Sequence, residues 1–193
     1  LESTESSSSF DERFDSLAGN SNKITAITAS VEKSLLSVLS DDSISGAFII
    51  LDTSVSKKNG SHSALYLRET DKGVSLIYGN NAKTNLDKTR KIADEIDFSL
   101  ENEETGVSYS FYSKPALYKK KSLAHSSESF TYWSSPHVLF EGEERVITYS
   151  RPIVSSDGTF IGVIGFEIPE RTIQLLMPTA ELGYGNSGYA FYE

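Results

Sequence analysis

The chain has 193 residues, enough to bury a sizeable core as one domain with an appendage or one and a half domains rather than two full ones. Its 38% hydrophobic content with 10 Phe and 10 Tyr marks a folded protein, and its formal net charge of -9 disfavours a nucleic-acid or anionic-lipid surface. With no cysteine, disulfides, thiolate metal sites and cysteine nucleophiles are excluded, which leaves the compartment open.

From Phe10 a helical stripe runs through Phe14, Leu17, Ile24, Val31, Leu35 and Val38, at heptad-like spacing with Ser21 and Thr28 filling gaps. Gly19-Asn20 interrupts it, so a helix is expected from about Ser21 to Leu39. It is either an amphipathic helix packing on its own domain or a stalk and dimer helix. The opening Leu1-Glu2-Ser3 lacks an initiator Met, and the longest apolar run, Ala47 to Leu51, falls far short of the ~20 residues that span a membrane. A cut fragment is therefore expected, with any membrane anchor or output domain outside it.

Gly46 to Asp52 reads as a buried strand and Ala64 to Glu69 as its neighbour, joined by a loop containing Asn59-Gly60. Lys83 to Leu100 predicts a surface helix, and Glu101 to Thr105 an acidic loop. Tyr109 to Trp133 is dense in aromatics without a clean period, which predicts irregular chain wrapped over a sheet; Lys119-Lys120-Lys121 within it reads as a solvated face. Residues 145–168 predict a hairpin turning at Asp157-Gly158, followed by a short helix from Pro169 to Leu182 and a strand over Tyr189 to Glu193. The fold class is α+β with a mainly antiparallel sheet.

Common catalytic patterns are missing. Gly183-Tyr-Gly-Asn-Ser-Gly188 has GxGxxG spacing but leaves a helix and enters a strand, the reverse of a dinucleotide site, and reads as a turn. His62, His125 and His137 lack the spacing that brings two onto one metal, and there is neither GxSxG nor a Walker lysine motif. No metal, cofactor or catalytic residue is expected.

A binding reading remains. In the hairpin, Tyr149 and Arg151 share one face of the first strand, and Glu167 lies with Ile161, Val163 and Gly165 on one face of the second. If those faces coincide, the sheet presents an aromatic, a cation and a carboxylate to one side, a pocket floor joined by Tyr132 and Trp133. Alternatively, Trp133 is a core anchor and Arg151 pairs with Glu167.

The series Trp133-x-x-Pro136, Ile147-Thr-Tyr-Ser-Arg-Pro-Ile153, Asp157-Gly158, Ile161-Gly-Val-Ile-Gly-Phe-Glu-Ile168 and Gly185-x-x-Gly188-Tyr-x-Phe191 spans about a third of the chain. In order and spacing it resembles the double Cache sensor domains of bacterial chemoreceptors, sensor histidine kinases and diguanylate cyclases. The resemblance implies a PAS-like, five-stranded antiparallel sheet with a long N-terminal helix. Residues 1–45 would be a stalk or dimer helix, 46–182 a membrane-distal lobe, and 183–193 the start of a membrane-proximal lobe. It implies an extracytoplasmic location and no enzymatic activity in the module; a small-molecule signal would pass through helix displacement in a homodimer to a cytoplasmic output domain.

Family members that bind amino acids carry an Arg two residues before the tryptophan, a Tyr after it, a Tyr on the next strand, an Asp two beyond that, and an Asp on the following strand. Trp133 and Tyr149 match; Thr131, Ser134, Arg151 and Glu167 depart. A ligand ammonium would meet Arg151 where it needs a carboxylate, so the expected ligand is a small carboxylate or other anion held by Arg151. Trp133, Tyr149, Arg151, Glu167, Tyr132 and Thr131 are the expected site. The rival reading is a binding or adhesion module without an enclosed pocket.

Overall fold

The computed structural model describes residues 21–56, 62–78, 98, 108–121, 130–139, 143–155 and 158–176. In chain order these form α1 (Ser21–Val38), β1 (Gly46–Leu51), α2 (Thr53–Ser56), β2 (Ser63–Thr70), β3 (Gly73–Tyr78), α3 (Ser110–Lys121), β4 (Tyr132–Trp133), β5 (Val146–Val154), β6 (Phe160–Pro169) and α4 (Glu170–Leu176). The fold is α+β, with an antiparallel sheet of order β3-β2-β1-β6-β5-β4. Among the described residues the sheet has six strands where five were expected, two of which, β3 and β4, the sequence reading had not assigned; β3 begins at Gly73, whose φ of 99° suits the turn after Asp71-Lys72.

β1 sits at the centre because its run Gly46–Leu51 is apolar on both faces, and all of it is buried. On one face, Ala47, Ile49 and Leu51 join Leu65, Leu67 and Leu76 under Ile24, Leu35 and Leu39 of the α1 segment. The described apolar stripe of α1 therefore packs on its own sheet. Thr28, fully buried in that stripe, returns its hydroxyl to the Ile24 and Thr25 carbonyls.

On the other face, Phe48, Ile50, Ala64 and Tyr66 meet Phe111, Tyr112 and Ala116 of α3 and the buried Phe98. Here the sequence expectation is corrected: part of Tyr109 to Trp133 is the helix α3 and the short strand β4. Pro115 inside α3 disguises the helical pattern, although Phe111, Tyr112 and Ala116 give the helix one buried side.

The 145–168 hairpin forms as expected, with β5 and β6 paired from Val146↔Pro169 to Val154↔Phe160 and Gly158 at φ 86° in the turn. Pro169 ends β6, and α4 occupies Glu170–Leu176 of the expected helix. The Asn59-Gly60 loop, the acidic loop, the glycine motif at 183–188, the strand at 189–193 and, apart from Phe98, the helix expected over 83–100 lie outside the described residues.

Candidate functional site

Residues directly opposite in antiparallel strands share a face. Tyr149 pairs with Trp133 and Phe166, and Arg151 with Ile164; Phe166 and Ile153 pack with the α1 cluster, so this set faces the α1 side. Glu167 pairs with Thr148 and Gly46, and Tyr132 with Ser150, on the α3 side. The two faces of the hairpin do not coincide. Trp133, Tyr149 and Arg151 are divided from Glu167 and Tyr132, while Thr131 stands exposed just before β4. Trp133 is no core anchor, being 48% exposed; among the described residues its ring meets Phe166 edgewise and Tyr149 obliquely. Arg151, half-buried, does not meet Glu167.

The partner of Glu167 is Arg68. The carboxyl is fully buried, and Arg68 grips it with Nε donating to Oε1 at 2.5 Å and Nη2 to Oε2 at 3.0 Å. The Tyr66 hydroxyl donates to Oε2 at 2.7 Å, and Arg68 Nη1 donates to Glu143 at 2.5 Å. Local sequence explains the reach. Arg68 and Glu167 both pair with Gly46, from opposite sides, and a Cβ at position 46 would overlap the Glu167 carboxyl. In the same way the Phe48 ring lies over Gly165 and stacks on Tyr66 at 4.8 Å.

Beside this cluster His137 is buried, its ring stacked on Phe111. Its Nδ1 donates to the Ser135 carbonyl at 3.0 Å and lies 3.1 Å from Ser134 Oγ, leaving Nε2 to accept from Thr148 Oγ1 at 3.4 Å. Burial lowers the His137 pKa against the opposing pull of the Ser135 carbonyl and Glu167, so the imidazole is neutral near pH 7. Burial, then the Glu167 carboxylate, raises the Tyr66 hydroxyl well above its ordinary value. Burial works against the charge on Arg68, but Glu167 more than offsets it and the guanidinium is held charged.

The face is thus aromatic around a closed polar cluster in which one guanidinium serves two carboxylates. Ser150, fully buried on the same face opposite Gly165, has no partner for its Oγ among the described residues. At the sheet end, Arg68 and Glu143 border an open groove of about 410 Å³ with Asp42, Asp71, Glu144 and Arg171. Among the described residues no group of three His, Asp or Glu is placed to hold a metal, and no helix is long and apolar enough to cross a membrane.

Sequence reasoning named Glu167 and Tyr132, but on one face with Trp133, Tyr149 and Arg151, and it did not name Tyr66, Arg68, His137, Thr148 and Ser150 as site residues. The available signal was the alternation within Ile147 to Ile153, which puts Thr148 and Ser150 opposite in sense to Tyr149 and Arg151.

No protein-family model matches the chain, and no curated protein does. Among solved structures it is similar to the ligand-binding domain of the Campylobacter jejuni chemoreceptor Tlp3, in complex with L-norvaline, at 17% identity and a TM-score of 0.47 over 84% of this chain and 46% of that one. The extracellular domain of a protein described as a histidine kinase, mmHK1S-Z3, aligns at 13% identity and TM-score 0.46, over 87% of this chain and 56% of that one. The periplasmic sensory domain of the C. jejuni chemoreceptor Tlp1 aligns at 12% and 0.43, over 95% and 62%. The chain spans about half the length of the Tlp3 domain.

Proposed function

We propose that this chain is an extracytoplasmic small-molecule sensing domain of a bacterial transmembrane signalling protein, relaying ligand binding to a cytoplasmic output domain. One observation carries the reading. A fully buried carboxyl with convergent Arg68 and Tyr66 lies under an aromatic layer on the hairpin whose motifs resemble the double Cache family, and an aromatic surface with a few converging polar groups is the make-up of a small-molecule pocket. Residues 46–182 act as the sensing lobe, 1–45 lead from a membrane anchor outside the fragment and support a homodimer, and 183–193 begin a second lobe. The ligand binds on the Glu167 face, so the anion expected at Arg151 has no place in this reading.

Thermal-shift screening against a metabolite panel tests it. A ligand that binds only the folded state stabilises by RT ln(1 + [L]/Kd), about 2.7 kcal/mol at a hundredfold excess over Kd. A panel with no response sinks the proposal. That result would favour the second reading, a binding or adhesion module without an enclosed pocket, for which one observation speaks: Trp133, Tyr149 and Arg151 are separated from Glu167, and Trp133 is exposed.

A further inference from the structure

We infer that the ligand of the Glu167 face is an uncharged ring compound with a hydrogen-bonding group, and that Ser150 receives that group. The inference rests on the sensing reading and adds the ligand class and the residue that selects it.

On this face the other polar groups of the cluster are already engaged with one another. Glu167 is held by Arg68 and Tyr66, Arg68 is shared with Glu143, and His137 is joined to Ser134, Ser135 and Thr148. Ser150 Oγ is the exception, on a side chain with no exposed area. A buried hydroxyl without a partner is unfavourable, and a ligand that supplies one recovers that loss on binding. Charge is excluded by the same bookkeeping: an anion would compete with two carboxylates for Arg68, and a cation would compete with Arg68 for Glu167. A ring is favoured by the aromatic neighbours. Ser150 lies opposite Gly165, and the Phe48 ring lies beside that glycine, stacked on Tyr66 and edge-on to Phe111.

Entry calls for α3 to move off β5 and β6. Pro115 weakens the helix at that point: it has no N–H for the Phe111 carbonyl four residues back, and Leu117 and Tyr118 on the outer side are exposed.

The test uses the whole 193-residue chain with phenol, indole and benzamide as uncharged probes, and benzoate and L-norvaline as charged comparators. At least one uncharged probe should raise the melting temperature in proportion to the logarithm of its concentration. Ser150→Ala, which removes the unpartnered hydroxyl, should be at least as stable as the parent without probe and bind it about tenfold more weakly, the loss of one hydrogen bond. If Ser150→Ala fails to fold, Ser150→Cys, which weakens the hydrogen bond at similar volume, serves the same comparison. Undiminished binding by the variant, or no shift with any uncharged probe, overturns the inference. A shift with benzoate or L-norvaline alone overturns it while leaving the sensing reading intact; silence from the wider metabolite panel overturns both.

Discussion

The side chain of Glu167 lies across the backbone at Gly46, occupying the space that a Cβ there would need. Gly46 is what allows a carboxyl on β6 to reach a guanidinium on β2 over the strand between them. Gly46→Ala should therefore push the carboxyl out of its bonds with Arg68 and Tyr66. The expected loss is at least the 1–3 kcal/mol typical of overpacking, read as a lower denaturation midpoint at unchanged m-value.

Removing one member of the ion pair should cost more than removing both. Arg68→Met alone strands a buried Glu167, a loss of about 3–5 kcal/mol, whereas Arg68→Met with Glu167→Leu should recover most of it. Tyr66→Phe removes one hydrogen bond to the carboxylate and should cost about 1.5–3 kcal/mol. Chemical denaturation of the parent, Arg68→Met, Glu167→Leu and the double variant decides: a loss in the double variant equal to the sum of the two single losses would show that the pair is not coupled.

Two groups shape the dependence of stability on pH. His137 has a lowered folded pKa, so below the ordinary value of 6.5 the unfolded chain takes up the proton more readily and stability falls as pH drops through that region. The Tyr66 hydroxyl has a raised folded pKa, so its contribution is complete below the ordinary value of 10.0 and is lost as pH rises beyond it. His137→Gln should flatten the acid limb between about pH 5 and 7 relative to the parent chain, as urea midpoints across that range would show. An acid limb of unchanged slope would remove His137 from the account.

Trp133 is the only tryptophan and half its surface is open, so it reports on the α1-side face. Its fluorescence should be readily quenched by acrylamide in the folded chain. Because the proposed ligand binds on the opposite face, Trp133→Ala and Arg151→Ala should leave any ligand-induced thermal shift within twofold in apparent Kd. A tenfold loss with either variant would place the ligand on the α1 side instead.

What the chain determined by itself was the set of elements with strong local periodicity. The stripe through Ile24, Thr28 and Leu35 defined α1, the unbroken apolar run at Gly46 defined a strand covered on both faces, and two β-rich runs around Gly158 defined the hairpin. Local pattern was weaker where one residue masked it, as Pro115 did in α3, or where a strand was short, as in β4. The site itself was decided by tertiary structure. Alternation sorts a strand's side chains into two faces without saying which face of the neighbour each will join, and a shift of one residue in register exchanges them all. That parity set Thr148, not Tyr149, opposite Glu167. The choice of Arg68 as its partner, 99 positions away, depended on two strands closing on the same glycine, a relation that no local window of sequence contains.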